Sequence, residues 1–474
     1  MKRLHLICAI TFCTLSSWCY GAWTSAHGNV DNTGFARVQT APAVFENQIG
    51  FANVGTVAPG ANPVTAPDGT VYIGNLEGEL IALRADGTPY WKRQLGSSDG
   101  GIMASPVIGA DGSIYVVSGR SLSVPLPGGG SATRGISILH KFNAGGAWLF
   151  AAPFPVHFPT QPEWMTRGLT SAPPNIWRYD NIEVVMVPVY VTTPSGFEIH
   201  LLAFSALSGT VLADHRVNHR VYDLSGYSPI TETIVNFFTF SFGTTVPGPF
   251  VPMPGVAIWP NSGGSPFVWM ADNVSSTVAL KFDPSTGFEE IFRFRDPGQP
   301  DRHSSAPMAL PNVVAVVGTA DGRVKFERDS IVLSGYYPIS ATPTRMADGR
   351  IAIVSDNWIS VISGGAVELE TQLSGLTIAS VAASCNHVFA ASQNEFVTFD
   401  AKSMTRVGTL PWTDGGAYPP VIGPLGHVYG MTKWGLFVFA PPPTLGKLGR
   451  PYATCGRNVP LPSDSILFHQ ITNN

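Results

Sequence analysis

Residues 63–94, PVTAPDGTVYIGNLEGELIALRADGTPYWKRQ, decide the fold of this chain. A tight Asp-Gly turn comes first, followed by a strand-like run at 71–73 and a second turn at 75–78. A third apolar run at 80–83 leads into another Asp-Gly turn and then into the aromatic pair at 90–91. The segment therefore predicts four short strands joined by tight turns, which is the content of one β-propeller blade.

The same pattern returns along the chain, and its units begin near residues 63, 106, 173, 256, 307, 343, 381 and 420. The later units lie 36 to 39 residues apart, and a period near 40 with four strands per unit is typical of a propeller. A two-sheet sandwich does not repeat so evenly. We predict an all-β chain, a β-propeller of about eight four-stranded blades with long loop insertions in blades 2–4. Because residues 23–55 precede the first unit, they are available to supply a strand that closes the ring.

The N-terminal residues of the chain predict that the protein is exported. Lys2 and Arg3 precede a short apolar run at 4–13, and the small residues Gly21 and Ala22 follow. This pattern is typical of a secretory signal peptide, and the run is too short to span a bilayer. We therefore predict a signal peptide at 1–22, a single propeller domain at 23–442, and a C-terminal tail at 443–474 that packs on the propeller. The predicted location is the periplasm or the extracellular space, without membrane insertion.

The composition limits the partners. Hydrophobic residues make up 44% of the chain, charged residues 13%, and the formal net charge is −4. No basic stripe is present, so nucleic acid is not expected as a partner. We expect a monomer that binds a protein or glycan partner.

Two cysteines, Cys385 and Cys455, remain after the predicted signal peptide. In an oxidising compartment they can form one disulfide that ties the tail to the propeller, and two separate buried thiols are the alternative.

The repeats resemble those of the pyrroloquinoline-quinone-type propeller superfamily. The resemblance rests on the D-G-x-[IV]-Y strand at 68–72 and 111–115, on the half at 83–91 that begins L-x-A, contains Gly87 and ends at Trp91, and on the opening WTSAHGNVDNTGFARV from Trp23. It implies the fold but not the activity, because this superfamily contains both enzymes and scaffolds.

Two branches of the superfamily can be compared with this chain. Its quinoprotein alcohol dehydrogenases hold the quinone between a Trp and a disulfide of adjacent cysteines, with calcium bound by Glu, Asn and Asp. No adjacent cysteines occur here, so we expect no quinone cofactor and leave calcium open. The second branch, the propeller subunit of the outer-membrane β-barrel assembly machinery, is a binding scaffold. It is normally a lipoprotein, and this chain lacks that signal.

Candidate sites are few. His215 and His219 have a metal-like spacing in a helix, but on a strand they lie roughly 13 Å apart, too far to share one ion. Asp296, Asp301 and His303 form a polar cluster that fits either acid–base chemistry or an ordinary surface turn.

The insertions at 151–180 and 220–255 are rich in aromatic residues, which either bind a partner or pack as a lid or extra strands. The candidates for partner binding are Trp164, Trp177, Phe237, Phe238, Phe240 and Phe242. The sequence thus favours an exported binding or scaffold module, with no catalytic, cofactor or metal residues assigned. The alternative is a quinoprotein-like oxidoreductase or a polysaccharide-acting propeller enzyme with a non-standard site.

Overall fold

Eight antiparallel sheets of four strands each make up the molecule. The computed structural model describes residues 22–441. It omits 42–43, 96–100, 126–130, 158–167, 169, 180, 194–195, 222–254, 260–264, 273–275, 296–304, 311–313, 320, 327–328, 334–338, 340 and 414.

The strands, numbered along the chain, divide into blades as follows. Blade 1 contains β2 (Val64–Thr65), β3 (Val71–Gly74), β4 (Glu79–Leu83) and β5 (Pro89–Gln94). Blade 2 contains β6 (Val107–Ile108), β7 (Ile114–Pro125), β8 (Ser131–Phe142) and β9 (Trp148–Pro153). Blade 3 contains β10 (Asn175–Tyr179), β11 (Ile182–Thr193), β12 (Gly196–Ser205) and β13 (Val211–Val221). Blade 4 contains β14 (Val256–Trp259), β15 (Phe267–Ala271), β16 (Ser276–Asp283) and β17 (Gly287–Arg295).

Blade 5 contains β18 (Met308–Leu310), β19 (Val314–Gly318), β20 (Arg323–Phe326) and β21 (Asp329–Val332). Blade 6 contains β22 (Thr344–Arg345), β23 (Ile351–Ser355), β24 (Trp358–Ser363) and β25 (Ala366–Gln372). Blade 7 contains β26 (Ala382–Ala383), β27 (His387–Ala391), β28 (Glu395–Asp400) and β29 (Arg406–Pro411). Blade 8 contains β30 (Val421–Ile422), β31 (Val428–Thr432), β32 (Gly435–Phe439) and, from the N-terminal side, β1 (Gln48–Ala52). A short 3-10 turn at Val44–Glu46 precedes β1.

In blades 1 to 7 the strands run in chain order from the channel outwards, and in blade 8 β30, β31 and β32 are followed by β1 as the outermost strand. The first strands of neighbouring blades contact one another, as β10 does with β6 and β14. The turns after the first and third strands therefore lie on one face, which we name the lower face. The turns after the second strands and the connections between blades lie on the opposite, upper face.

Burial follows this order. The second strands are apolar and buried on both sides, as in β23 and β27, because each is covered by the neighbouring blades. The fourth strands, such as β25, alternate between exposed and half-buried side chains. The Asp-Gly pattern occupies the lower turn after the first strand: the Oδ1 of Asp68 accepts from the Thr70 amide at 2.9 Å, and Gly69 has φ +88°.

The ring closes through β1, which pairs antiparallel with β32. Phe45, just before β1, packs its ring 4.6 Å from Phe396 of blade 7 and 5.3 Å from Phe439 of blade 8. The N-terminal segment therefore supplies the closing strand, as expected, and its apolar contacts hold the last blades together.

The predicted organisation is confirmed for all eight blades, since each first strand begins within two residues of the corresponding sequence unit. Part of the extra length of blades 2 and 3 lies in long strands, β7, β8 and β11, of 12 residues each. Residues 1–21 of the predicted signal peptide and the tail at 443–474 lie outside the described residues. In the described part of the chain, no helix has the length and apolar character needed to cross a membrane.

Candidate functional site: a plugged channel and a histidine–carboxylate cluster

The channel is filled from within by residues 23–38, which we name the plug. Its backbone carbonyls accept hydrogen bonds of 2.7 to 2.9 Å in six blades, from amides of the first strands and, in one case, from a residue two positions beyond the strand. The bonded amides, in blade order, belong to Thr65, Ile108, Ile258, Ala309, Arg345 and, in blade 7, both Ala383 and Cys385. Blade 3 contributes a side chain, since the Nδ2 of Asn175 donates to the carbonyl of Val30 at 2.8 Å.

Polar side chains of the plug complete this pairing. Asn32 has a left-handed backbone with φ +56°, and its Nδ2 donates to the carbonyls of Val256 and Pro307, both at 3.1 Å. The side-chain amide of Asn32 therefore joins the neighbouring blades 4 and 5 on the inside of the channel. Left-handed backbone is tolerated by Asn better than by most residues, which fits Asn at this position.

His27 anchors the plug to blade 6. Its buried ring places Nε2 3.2 Å from the carbonyl oxygen of Pro343 and 3.1 Å from the Oγ1 of Thr344. Because a carbonyl only accepts, the proton lies on Nε2. Burial lowers the pKa of His27 to about 4, against the opposing effect of the hydrogen bond to Pro343, so the ring is neutral at pH 7.

Asp31 is the acidic residue of the plug. Burial raises its pKa to about 6, although Arg345 and Arg37 favour the charged form. The plug thus holds a neutral histidine and a carboxylate that gains a proton in mildly acidic solution.

Above the plug, a cavity of about 90 Å³ opens towards the upper face. Its floor is formed by Ser25, His27 and Asn32 of the plug, and its walls by the residues that lead into the first strands of the blades. The described lining contains no Asp, Glu, Lys, Arg or Cys. A volume of this size holds a few water molecules and is well below that of ordinary small-molecule sites.

The described lining does not fit a quinone cofactor. Pyrroloquinoline quinone carries three carboxylates, which need cationic or strong hydrogen-bonding partners, and the titratable side chain here is the neutral His27. Calcium would require carboxylate oxygens, and the described lining offers amide and hydroxyl groups instead.

A second polar feature lies away from the channel, where the connection leaving blade 2 meets the outer strands of blade 3. The Asp214 carboxylate has its Oδ2 2.8 Å from the Nε2 of His157 and its Oδ1 2.6 Å from the Nδ1 of His200. The other nitrogen of His200, Nε2, lies 2.9 Å from the Oε2 of Glu198. Arg216 in turn donates from Nη1 to the Oε1 of Glu198 at 3.1 Å.

The alternation of strands β12 and β13 places these groups together. Leu202 and Phe204 of β12 belong to the apolar core shared with blade 2, whereas Leu201 and Ala203 belong to the core shared with blade 4. Glu198 and His200 therefore face blade 2, as does Asp214, which pairs with Leu202. His157, four residues beyond β9, reaches this face from the neighbouring blade.

The hydrogen bonds of this cluster favour the protonated form of His200 and the ionised form of Asp214. Burial lowers the pKa of His200, but its hydrogen bonds to Asp214 and Glu198 outweigh burial and raise it overall. For Asp214, burial is outweighed by hydrogen bonds from His157 and His200, which hold its pKa far below the usual range.

His157, His200 and Asp214 are the central residues of this cluster, and none of them was predicted from the sequence. The pattern that could have found them is Glu-x-His at 198–200, because positions i and i+2 share one face of a strand. The sequence instead drew attention to His215 and His219, which lie on strand β13 as expected. His215 faces blade 4, beside the ring of Phe288.

The outcomes for the other candidates are mixed. Trp177 is not a surface aromatic: it is 5% exposed in β10 and packs edge-on against Phe282 of blade 4, since first strands lie inside the ring. Cys385 is disulfide-bonded, but its partner is not among the described residues, so the pairing with Cys455 stays a prediction. The remaining candidates, Trp164, Phe237, Phe238, Phe240, Phe242, Asp296, Asp301 and His303, lie outside the described residues.

Comparison with known proteins identifies the fold. No protein-family model matches the sequence, and no curated protein matches it. Among solved structures, the quinohemoprotein alcohol dehydrogenase from Comamonas testosteroni is similar, with a TM-score of 0.57 and 12% identity over 88% of this chain and 77% of that chain. This chain has the fold of an eight-bladed β-propeller.

Two further structures resemble this chain more distantly. BamB from Moraxella catarrhalis is 12% identical over 81% of this chain and 96% of that chain, with a TM-score of 0.49. A europium-containing methanol dehydrogenase is 11% identical over 86% and 89%, with a TM-score of 0.42. Likeness at these identities concerns the fold alone.

Proposed function

We propose that this propeller is an exported, non-enzymatic binding module that engages a protein partner through its outer surface. The observation that carries the proposal is the plug. Propeller enzymes assemble their sites at one mouth of the channel, and here the channel is filled by hydrogen-bonded chain, with a small cavity above it whose described lining is uncharged.

Export is supported by the signal-like residues 1–22 and by the disulfide at Cys385. Disulfides persist in oxidising compartments and are rare in the cytosol. A periplasmic or extracellular location and a monomeric state are part of the proposal.

The surface that fits a protein partner is an apolar area on the lower rim of blades 2 and 3. Leu207, in the turn between β12 and β13, is 88% exposed, and Trp148 at the start of β9 is 63% exposed. The Leu207 turn lies against blade 2, since the Nζ of Lys141 donates to the carbonyl of Ala206 at 2.8 Å. Other exposed apolar residues on blades 2 and 3 are Leu149, Tyr179, Ile182, Val211 and Leu212. Clustered exposed apolar side chains of this kind mark protein interaction sites.

Photo-crosslinking tests the proposal directly. A photoreactive amino acid is placed at position 207 in the full chain, in the native host, and at position 376 as a matched control, because Leu376 is also exposed, at 50%, and lies in the connection from blade 6 to blade 7. We expect a discrete protein adduct at 207 and none at 376, and loss of co-purification of that protein in Leu207→Asp but not in Leu376→Asp.

Two results would overturn the proposal. One is an identical crosslinking pattern at both positions. The other is a stoichiometric quinone in the protein purified from its host, detected by absorption and mass spectrometry.

A further inference from the structure

The cluster of His157, His200 and Asp214 has the composition and arrangement of a transition-metal site. One ligand atom from each residue lies within 4.8 Å of the others. Two imidazoles and a carboxylate form a donor set that suits Zn²⁺, whose bonds to His nitrogen and carboxylate oxygen are about 2.0 to 2.2 Å. Tetrahedral ligand atoms then lie roughly 3.3 Å apart. The two His–Asp separations of 2.6 and 2.8 Å are shorter than this, and the two imidazole nitrogens lie within 4.8 Å of each other, so side-chain rotations would have to adjust all three separations.

We propose that these three residues bind one Zn²⁺ ion, which joins the connection leaving blade 2 to the outer strands of blade 3. The ligands are the Nε2 of His157, the Nδ1 of His200 and the carboxylate of Asp214. The fourth position is left to water, because the Asp214 side chain is 31% exposed while the two imidazoles are 7% and 9% exposed.

Glu198 supports this assignment independently of the ligand distances. A metal-bound histidine almost always gives its other ring nitrogen to a carboxylate or carbonyl, which fixes the tautomer and the ring orientation. The Nε2 of His200 lies 2.9 Å from Glu198, so Nδ1 is left to face Asp214 and His157. Arg216 holds Glu198 from the solvent side, and Glu198 is a positioning residue.

The charges also favour a cation. Two carboxylates, Asp214 and Glu198, and one guanidinium, Arg216, surround the imidazoles, so these side chains bring more negative than positive charge to the site.

The experiment uses the full chain after removal of metal with a chelator. Zn²⁺ is titrated in competition with a chromophoric indicator, and Co²⁺ is titrated as a spectroscopic probe of tetrahedral coordination. We expect one saturable site in the wild-type protein. His157→Gln and Asp214→Asn should each weaken Zn²⁺ binding more than Glu198→Gln does, and the latter should weaken it by about 10- to 100-fold.

The matched control is His215→Gln, which removes the adjacent histidine on the opposite face of the same strand. It should keep wild-type affinity for Zn²⁺. Circular dichroism of the metal-free variants verifies folding, and added Zn²⁺ should raise the thermal midpoint of the wild type and His215→Gln but not of His157→Gln.

The proposal is overturned if the wild type shows no saturable site at micromolar Zn²⁺, which would leave a hydrogen-bonded cluster only. It is also overturned if His157→Gln binds Zn²⁺ as tightly as His215→Gln, which would place the metal elsewhere. Neither outcome bears on partner binding at Leu207, so the two proposals fail separately.

Discussion

His27 makes the docking of the plug sensitive to pH. Its neutral ring donates from Nε2 to Pro343 and Thr344 in a site where burial lowers the pKa to about 4, whereas an unfolded histidine titrates near 6.5. Between these two pH values the unfolded state binds a proton that the native state does not. The free energy of unfolding therefore stays high above pH 6.5 and falls as the pH drops from 6.5 towards 4.

The size of this effect follows from the two pKa values. Proton linkage at His27 alone lowers the free energy of unfolding by about 2 kcal/mol between pH 8 and pH 5. The loss reaches about 3 kcal/mol at a pH where His27 is protonated in both the native and the unfolded state. His27→Gln removes the titrating group and keeps a side-chain N–H that can reach the same carbonyl. Between pH 8 and pH 5, we expect the free energy of unfolding to fall by about 2 kcal/mol less in this variant than in the wild type.

Urea unfolding at pH 8 and pH 5, followed by tryptophan fluorescence, measures the difference. Thr344→Ala is the matched control, because it removes a hydrogen-bond partner of His27 and leaves the titrating ring in place. It should lower the stability by a similar amount at both pH values. If His27→Gln and the wild type lose equal stability between pH 8 and pH 5, the ring is not buried in the channel and the reasoning is refuted.

Three further predictions concern the plug and the blade packing. Asn32→Ala should lower the free energy of unfolding by about 1 to 3 kcal/mol in urea titrations, because the buried carbonyl of Pro307 loses its donor, whereas that of Val256 keeps the Nδ2 of Asn175. Asp31→Asn should raise the free energy of unfolding at pH 7.5 by about 3 kcal/mol and have little effect at pH 4. The raised native pKa of Asp31 stabilises the protein below about pH 4, and this gain is lost as the pH rises through about 6; equal effects at both pH values would contradict this. Gly74→Ala should lower the free energy of unfolding by about 1 to 3 kcal/mol in thermal unfolding, because the added Cβ would lie 2.3 Å from the Cγ2 of Ile102. Gly119→Ala is the matched control and should be nearly neutral, because the nearest neighbouring atom to its added Cβ is 4.0 Å away.

The blades could be predicted from the sequence because their signals are local. An Asp-Gly turn such as Asp68-Gly69 needs a left-handed glycine and a carboxylate that caps the next amides, and both are visible within a few residues. The apolar runs between such turns have the length of short buried strands, so each blade could be placed to within two residues.

The plug and the histidine cluster could not be predicted in the same way. Asn32 bonds to residues 224 and 275 positions away, and His27 to residues more than 300 positions away, so no short spacing reveals these contacts. His157 and Asp214 meet only because the connection from one blade crosses the outer strands of the next. Trp177 was proposed as a surface residue for a related reason: the sequence alone does not show whether an aromatic residue next to a long insertion belongs to the insertion or to the buried inner strand that follows it.

The opening stretch WTSAHGNVDNTGFARV thus acquires a structural role beyond its resemblance to the superfamily. The polar side chains His27 and Asn32 are the ones that bond the plug to blades 4, 5 and 6, and the strand that follows, β1, closes blade 8. Removing all residues before 53 would therefore leave the channel unfilled and the edge of β32 unpaired at the same time. Such a truncation could not show which of these two losses destabilises the protein. Point substitutions do separate them: Asn32→Ala perturbs the plug and leaves the β1–β32 pairing in place. If Asn32→Ala exposes the protein to proteolysis before residue 53 while the blades stay folded, the plug docks independently of ring closure. If the whole chain unfolds in one step, plug and ring form a single cooperative unit.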